Sequence, residues 1–547
     1  MRSIHKLKIM MVTRHIPKIG PKYTMPRVTP EALTRTVQDY LNDASGAVVL
    51  ENGSVAFDLG RAKYSVSGEH NKCLLHLWSV ERNTVRRVLD AEVKNGTLRL
   101  AVQRLGQSRP TKLEICRERD RRSPSAKKAA RAAYEHKLRR ALERHFPGLT
   151  VTRLTTGIDL EKSFGPIYAR GILRQGQSAF AVLGVNAQEA QASIDAALTF
   201  GILWLDVCRT GQAGKVLIEG LNLFVPSGTS DLVREQMANL NREAAKWSLF
   251  ELDERHDAVT EIDCSDRGNV ATRLVHAPDE GAALERFAES IGRMRKLLPH
   301  CEVAVLSAAE IAFRWRGLEF ARARMGAEPE SFRSIQEIVF GVGAEERVLE
   351  ARNEGAFSEL INCLRDIRHP YGSRRHALWR MHPERWLESL VVGDVSVVDE
   401  RLDASNLYSQ VPAFSAADRA MIDVLTTTLE GRLAVVELKA DEDIHLPLQG
   451  LDYWSRVEWH HARGEFSRFG YFDGKELSGE KPLLFLLAPA LHVHPSTDVL
   501  LRYISPEIDW VFVGIDERWR EGVKVVFRKR PERSARRGSE LLNPAAR

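Results

Sequence analysis

The sequence predicts a multidomain α/β (α+β) protein: a β-rich N-terminal domain, a middle region running from α/β to helical, and a C-terminal mixed sheet flanked by helices. Three observations predict it. The chain has 547 residues, too many for one core at about 150 residues per domain. Hydrophobic residues make up 44% and charged residues 28%, which excludes wholesale disorder and a fibrous repeat. The apolar pattern changes period along the chain, from short alternating runs to helical spacing and back. The 79 Lys and Arg against 73 Asp and Glu leave a net charge of +6, compatible with a polyanionic partner but too weak to demand one.

Residues 1–26 carry Pro17, Pro21 and Pro26 and no apolar period, a flexible lead-in. Over 27–117 a helix starts after Thr29, with Pro30 at its first position and Leu33, Val37 and Leu41 on one face. The runs Gly46–Leu50, Ser54–Leu59, Cys73–Ser79 and Leu98–Leu105 predict strands. The domain at 118–230 follows a basic run from Arg117 to Arg140, either a solvated linker entering a helix or a phosphate-contacting arm. Its order is helix (Tyr134–Phe146), strand (Pro166–Leu173), strand (Ala179–Val185) and long buried helix (Ala187–Cys208). Helical spacing in Leu284–Leu298, Ala308–Met325 and Ala344–Ile367, with strands around Val303 and Ile338, predicts a mainly helical region at 231–367. A last domain spans 368–530, and 531–547 is a basic, disordered tail.

The six cysteines, at 73, 116, 208, 264, 301 and 363, form no C-x-x-C pair, which argues against a zinc ribbon or an iron–sulfur cluster and for free thiols in a reducing cytoplasm. The longest apolar stretch, Pro482–Val493, is shorter than the roughly 20 residues of a membrane span. The apolar run Ile9–Val12 is too short for a secretory signal. The expectation is a cytoplasmic protein with no membrane partner.

The C-terminal domain carries the chemistry. Two β-rich runs flank the turn signal Leu429-Glu430-Gly431, predicting a hairpin in which Asp423 faces Glu437. Alternation along the second strand puts Glu437 and Lys439 on one face and Val436 and Leu438 on the other. Like charges directly opposite each other destabilise a sheet unless a cation compensates, and Mg²⁺ is a natural one; an ordinary salt-bridged hairpin face is the alternative. Pro447 opens a helix that places Gln449 and Tyr453 on one face, and upstream Pro383 opens another that pairs Glu384 with Glu388 in the same way.

This ordered set (acidic helix, Asp strand, E-x-K strand, Q-x-x-x-Y helix) resembles the PD-(D/E)xK nuclease superfamily, in its RecB-like branch. It is most similar to the catalytic domain of NucS-type endonucleases and less so to archaeal Holliday-junction resolvases. The resemblance covers only the C-terminal domain; one departure is Ile422, where proline commonly precedes the metal-binding Asp. It implies a restriction-endonuclease-like mixed sheet and Mg²⁺-dependent hydrolysis of DNA, with Mn²⁺ as a substitute and RNA not ruled out by the motif. Asp423, Glu437, the carbonyl of Leu438 and Glu384 would hold one or two Mg²⁺, with Glu388 competing for the role of first-helix acid. Lys439 would orient the attacking water or offset charge on the phosphate, and Gln449 and Tyr453 would brace Lys439 or touch the backbone. Arg374, Arg375, Arg380 and Arg456 are the expected nucleic-acid contacts. A homodimer is compatible with this reading. The competing function is a nucleic-acid-binding protein that keeps a nuclease-like fold without catalysis.

The helix–strand–strand–helix order at 118–230 repeats part of this arrangement, yet Gly184-Val185-Asn186 stands where the second copy has Glu437-Leu438-Lys439. A degenerate nuclease-like unit is the expectation there, against the bland alternative that the order is simply common.

Overall fold

The computed structural model describes residues 29–531, except 45–46, 52–53, 60–61, 70–71, 79–82, 95–96, 105–109, 117–123, 160–163, 212–215, 266–271, 328–333, 344–345 and 416–418. The lead-in at 1–26, the start of the basic run at 117–122 and the tail from Glu532 lie outside the described residues. Internal contacts divide the chain into two compact units, Met1–Ala133 and Tyr134–Arg547.

In the first unit, α1 (Pro30–Asn42) begins where the sequence predicts, its first turn capped by the Thr29 hydroxyl, which accepts from the Ala32 N–H. Its buried face, Leu33, Val37, Tyr40 and Leu41, joins one core with the apolar face of a sheet. That sheet is antiparallel and contains β1 (Val48–Glu51), β2 (Ser54–Asp58), β3 (Lys63–Glu69), β4 (Lys72–Trp78), β5 (Asn83–Lys94), β6 (Thr97–Arg104) and β7 (Thr111–Cys116). Its order is β2-β1-β7-β6-β5-β4-β3. The helix α2 (Pro124–His145) follows, and its part from Tyr134 belongs to the second unit.

The second unit opens with a mixed sheet of β8 (Thr150–Thr155), β9 (Tyr168–Gln175), β10 (Ser178–Val185), β11 (Leu217–Pro226), β12 (Lys246–Asp253) and β13 (Ala258–Ile262). The strands lie in the order β13-β12-β11-β10-β9-β8. The three central strands β10, β11 and β12 run parallel, and every other neighbour is antiparallel. The helix expected over Ala187–Cys208 divides into α3 (Gln191–Asp195) and α4 (Ala197–Gly211), and α4 lies across β10 and β11. Tyr134, Leu138 and Leu142 of α2 cover the opposite face, and α5 (Asp231–Met237) links β11 to β12.

After β14 (Thr272–Arg273) come α6 (Glu280–Arg286) and α7 (Ala288–Leu297), then an antiparallel meander of β15 (Glu302–Ser307), β16 (Glu310–Trp315), β17 (Leu318–Ala327), β18 (Ser334–Phe340) and β19 (Arg347–Val348). With α8 (Glu354–Ile367) these enclose a separate core around Phe287, Phe313, Phe320 and Phe357. The segment Ala308–Met325, expected to be helical, is instead the β16–β17 hairpin. Its two-residue loop is Arg316-Gly317, both with positive φ, the geometry that matches the twist of paired strands.

The C-terminal part begins with α9 (Ala377–Arg380) and α10 (Pro383–Gly393). It continues through β20 (Leu402–Ser415), β21 (Arg419–Thr428), β22 (Leu433–Leu438), α11 (Leu446–His461), α12 (Glu465–Arg468), β23 (Leu483–Pro489), α13 (Thr497–Arg502), β24 (Trp510–Ile515) and β25 (Val525–Lys529). The sheet order is β14-β20-β21-β22-β23-β24-β25, with β22, β23 and β24 parallel and the rest antiparallel. The multidomain α+β class expected from the sequence is thus the observed one, ending in a mixed sheet flanked by helices. No helix among the described residues is long and apolar enough to cross a membrane.

Candidate active site

The β21–β22 hairpin closes through Gly431, whose φ of +85° a side chain would strain. The Thr428 N–H donates to the Arg432 carbonyl across the turn at 2.7 Å. Pairing of Val424 with Val436 fixes the register, so one step along Asp423 stands opposite Glu437. On the far side of β21, Val411 pairs with Ile422, which puts Gln410 of β20 opposite Asp423. Gln410, Asp423 and Glu437 therefore form a row across three strands. Val436 and Leu438 point into the core beneath Trp386, while Glu437 and Lys439 share the face over which α11 runs. The helix passes close because Gly450 lacks a side chain: a Cβ there would sit 2.4 Å from the Leu486 side chain and 3.5 Å from the Glu437 Cβ.

Around this row the polar groups are few and specific. Asp423 Oδ2 accepts the Leu438 N–H at 3.1 Å. The Lys439 ammonium lies 3.3 Å from Glu437 Oε1 and 3.9 Å from Glu384 Oε1. Gln410 Nε2 donates to Glu388 Oε2 at 2.8 Å and to Asp423 Oδ1 at 3.4 Å, and Arg385 holds the same Glu388 oxygen at 3.0 Å. On α10 the spacing of four residues aims Glu384 and Glu388 the same way, while Trp386, Leu387 and Val391 are buried in the core. Glu388 is buried; Glu384 stays half exposed.

Burial sets the electrostatics. Glu437, only 1% exposed, has its pKa pushed well up by desolvation and then by the neighbouring Asp423 carboxylate. Desolvation also raises Asp423 and Glu384, and it lifts Glu388 to about 7. Burial pulls the Lys439 ammonium down, but Glu437, Glu384 and Asp423 outweigh it and its pKa rises on balance.

Asp423, Glu437, Lys439, Glu384 and the main chain of Leu438 are thus brought together, with Glu388 beside them. Gln449 and Tyr453 lie on α11 and bond to each other, Nε2 to hydroxyl at 3.2 Å. Arg374, Arg375 and Arg380 are exposed in the segment before α10, where Arg374 lies over Trp379 and the Arg380 Nε donates to the Arg374 carbonyl at 2.8 Å. Arg456, expected from the sequence to contact nucleic acid, is instead 3% exposed and paired with Asp452 at 2.9 Å, which leaves it no access to a nucleic acid. That face of α11 is covered by α5, which packs against it. Gln410 and Arg385 were not foreseen; the cross-strand position of Gln410 follows only once the β20–β21 register is known.

Among the described residues, no three carboxylate, histidine or cysteine side chains already converge on one point. The donor set nonetheless suits a hard cation. Glu437 Oε2 is buried with no main-chain or other side-chain donor, and its polar neighbour is the Asp423 carboxyl, a contact that two acids can make only by holding a proton between them. An ion that takes oxygen ligands would satisfy both. Compared with known proteins, the chain matches no family model, no curated protein and no solved structure.

Proposed function

We propose that the protein is a Mg²⁺-dependent nuclease that hydrolyses phosphodiester bonds in DNA. The observation that carries this reading is the buried Asp423–Glu437 pair, two carboxyls that without an ion must share a proton, with one ammonium, Lys439, at its rim. A structural sheet gains nothing from such a pair, since burying two acids side by side costs free energy whether both are ionised or one is held protonated.

Asp423, Glu437 and the Leu438 carbonyl would hold the ion, with Glu388 or Glu384 as the third acid; Mn²⁺ would substitute. When bound, such an ion polarises a scissile phosphate and acidifies a coordinated water. Lys439, held by Glu437 and Glu384, stays protonated and supplies positive charge where the phosphate gains negative charge. Gln410 ties Asp423 to Glu388, so the acids on the sheet and on α10 are oriented together. Gln449 and Tyr453 roof the site from α11 and offer polar atoms to a substrate backbone. The exposed Arg374, Arg375 and Arg380 supply phosphate contacts that carry no sequence information. The free cysteines suit a reducing compartment, and the cytoplasm is the proposed location.

The test is incubation of the purified protein with duplex, nicked, flapped, mismatched and single-stranded DNA, and with RNA, in Mg²⁺, Mn²⁺ or EDTA. Cleavage that needs the metal and disappears in Glu437→Gln and Lys439→Met, with binding retained, supports the reading. Binding without cleavage under every condition overturns it in favour of a recognition protein.

A further inference from the structure

The two mixed sheets of the second unit have one topology. Each has an antiparallel hairpin, three parallel central strands and an antiparallel last strand in the same spatial order. In each, a helix crosses from the second hairpin strand and packs on that strand and the next: α4 on β10 and β11, α11 on β22 and β23. Details align the copies residue by residue. Strands β11 and β23 both end in proline, Pro226 and Pro489. Counting back from them, Phe224 matches Leu487; their partners across the parallel ladder are Gly184 and Leu438. Gly201 of α4 meets Leu221 and Leu223 as Gly450 of α11 meets Leu484 and Leu486. The sequence-based register was therefore one residue off: Leu183, not Gly184, occupies the place of Glu437, and Val185 that of Lys439. Arg170, paired with Leu183, stands at the place of Asp423. From the glycines, Phe200 replaces Gln449 and Trp204 replaces Tyr453.

No ion-binding group survives at these places. The Arg170 guanidinium, 2% exposed, fills the space instead: it donates to the carbonyls of Gly165 and Gly157 and lies over the Phe164 ring at 5.0 Å and the Trp204 ring at 5.9 Å.

The copies also dock as two equal partners would. Leu240, just after α5, bridges Ile504, just after α13. The residue following each donates to the residue preceding the other: Asn241 N–H to the Tyr503 carbonyl at 2.8 Å, Ser505 N–H to the Asn239 carbonyl at 2.9 Å. Likewise α5 packs on α11 and α13 on α4. Contacts in which i meets j and j meets i define a two-fold interface. The site positions lie close to it: Phe200, at the place of Gln449, has its ring 6.0 Å from that of His445, six residues after Lys439, and Gln236 of α5 donates to the Leu448 carbonyl at 3.2 Å.

We propose that the chain is a fused pseudo-dimer of two nuclease-type halves with one working site, so that it cuts a single strand of a duplex per binding event and needs no second copy of itself. This rests on the nuclease reading. The first half takes the place of a second subunit, facing one strand with a plugged site while the other half cuts.

The experiment uses full-length protein and supercoiled plasmid with Mg²⁺, alongside the solution mass of the free and DNA-bound protein and Mn²⁺ binding followed by electron paramagnetic resonance. The expected result is open-circular product that accumulates until the supercoiled substrate is nearly consumed, one chain per complex, and complete loss of bound Mn²⁺ in Asp423→Asn/Glu437→Gln. Linear product from the outset, two chains per cutting complex, or bound Mn²⁺ surviving in the double variant overturns the inference while leaving the nuclease reading intact. No cleavage of any DNA overturns the nuclease reading, and the inference falls with it.

Discussion

Glu437 bears two opposed demands: its burial beside Asp423 is unfavourable to the fold and useful to an ion. Replacing it with Gln puts an amide where the metal-free fold must otherwise keep the carboxyl protonated, and that amide can donate to Asp423 at any pH. The expected outcome in EDTA is a melting temperature equal to or above that of the wild type. In Mg²⁺ the same variant loses cleavage by at least about 100-fold, the scale of removing one charge-stabilising group from an active site. A large loss of stability in EDTA would show the carboxylate to be structural. Glu388 gives a pH signature. Its pKa in the fold is lifted to about 7, from an ordinary 4.5, chiefly by burial. A raised carboxyl pKa means that the folded protein binds the proton more tightly than the unfolded chain. The stabilisation is complete below about pH 4.5 and is lost as pH rises through about 7, by on the order of 3 kcal/mol in total. Metal-free wild type should thus lose stability relative to Glu388→Gln between these values, measured by urea unfolding at a series of pH values. A constant difference between the two proteins across that range would contradict it.

Elements decide which of these residues meet, and they differ in how legible they are. The hairpin carrying Asp423 and Glu437 is local: a Gly at the turn and alternation on both sides suffice, and α10 and α11 announce themselves by Pro383, Pro447 and four-residue spacing. The β16–β17 hairpin turns at Arg316-Gly317, and its buried Ile311, Phe313, Leu318 and Phe320 alternate as strand residues do, but the Ala, Glu and Arg content of 308–325 favours a helix and masks that alternation. Gln410 and Arg456 fail for a different reason: what each touches depends on a register or a covering helix that no local window contains. The segment between α8 and α10 is organised by one long-range residue, Arg368. Fully buried, it donates to the carbonyls of Leu378 and Met381 at 2.7 Å, Arg316 at 2.9 Å and Trp315 at 3.1 Å, and its guanidinium lies 4.8 Å over the Trp386 ring. Arg368→Met should cost about 3–5 kcal/mol, because it strands several buried carbonyls, and denaturant unfolding measures this directly. A loss near zero would mean that water replaces the guanidinium at no cost. The same segment displays Arg374, Arg375 and Arg380. Their triple Ala variant should weaken DNA binding and flatten the slope of log K against log salt, by up to about 0.9 for each phosphate no longer neutralised. An unchanged slope would mean that these side chains face only solvent.

At the scale of the whole second unit, one apolar cluster runs without interruption through both mixed sheets. Leu198, Leu205, Met237 and Leu240 from the first half join Leu448, Leu451, Leu501 and Ile504 from the second. Polar contacts close its rim: Arg209 donates to the Tyr503 hydroxyl at 3.1 Å and Arg502 pairs with Asp206 at 3.0 Å. Two halves that share a core this way have no independent surface to retreat to, so opening one exposes the other. Ile504 lies at the centre of the contact, buried and bridged to Leu240. Ile504→Asp places an unpaired charge there, at a cost on the order of 3–5 kcal/mol. If the halves are one cooperative body, amide exchange should quicken together in β10–β12 of the first sheet and β22–β24 of the second, with the same loss of protection in both, although the substitution lies in neither sheet. Because the hydrogen bonds of Asn241 and Ser505 flank it symmetrically, no half is favoured by position. Protection lost in β22–β24 alone would show the halves to be separate folds resting against each other, and the first sheet would then be an appendage rather than the other half of the molecule.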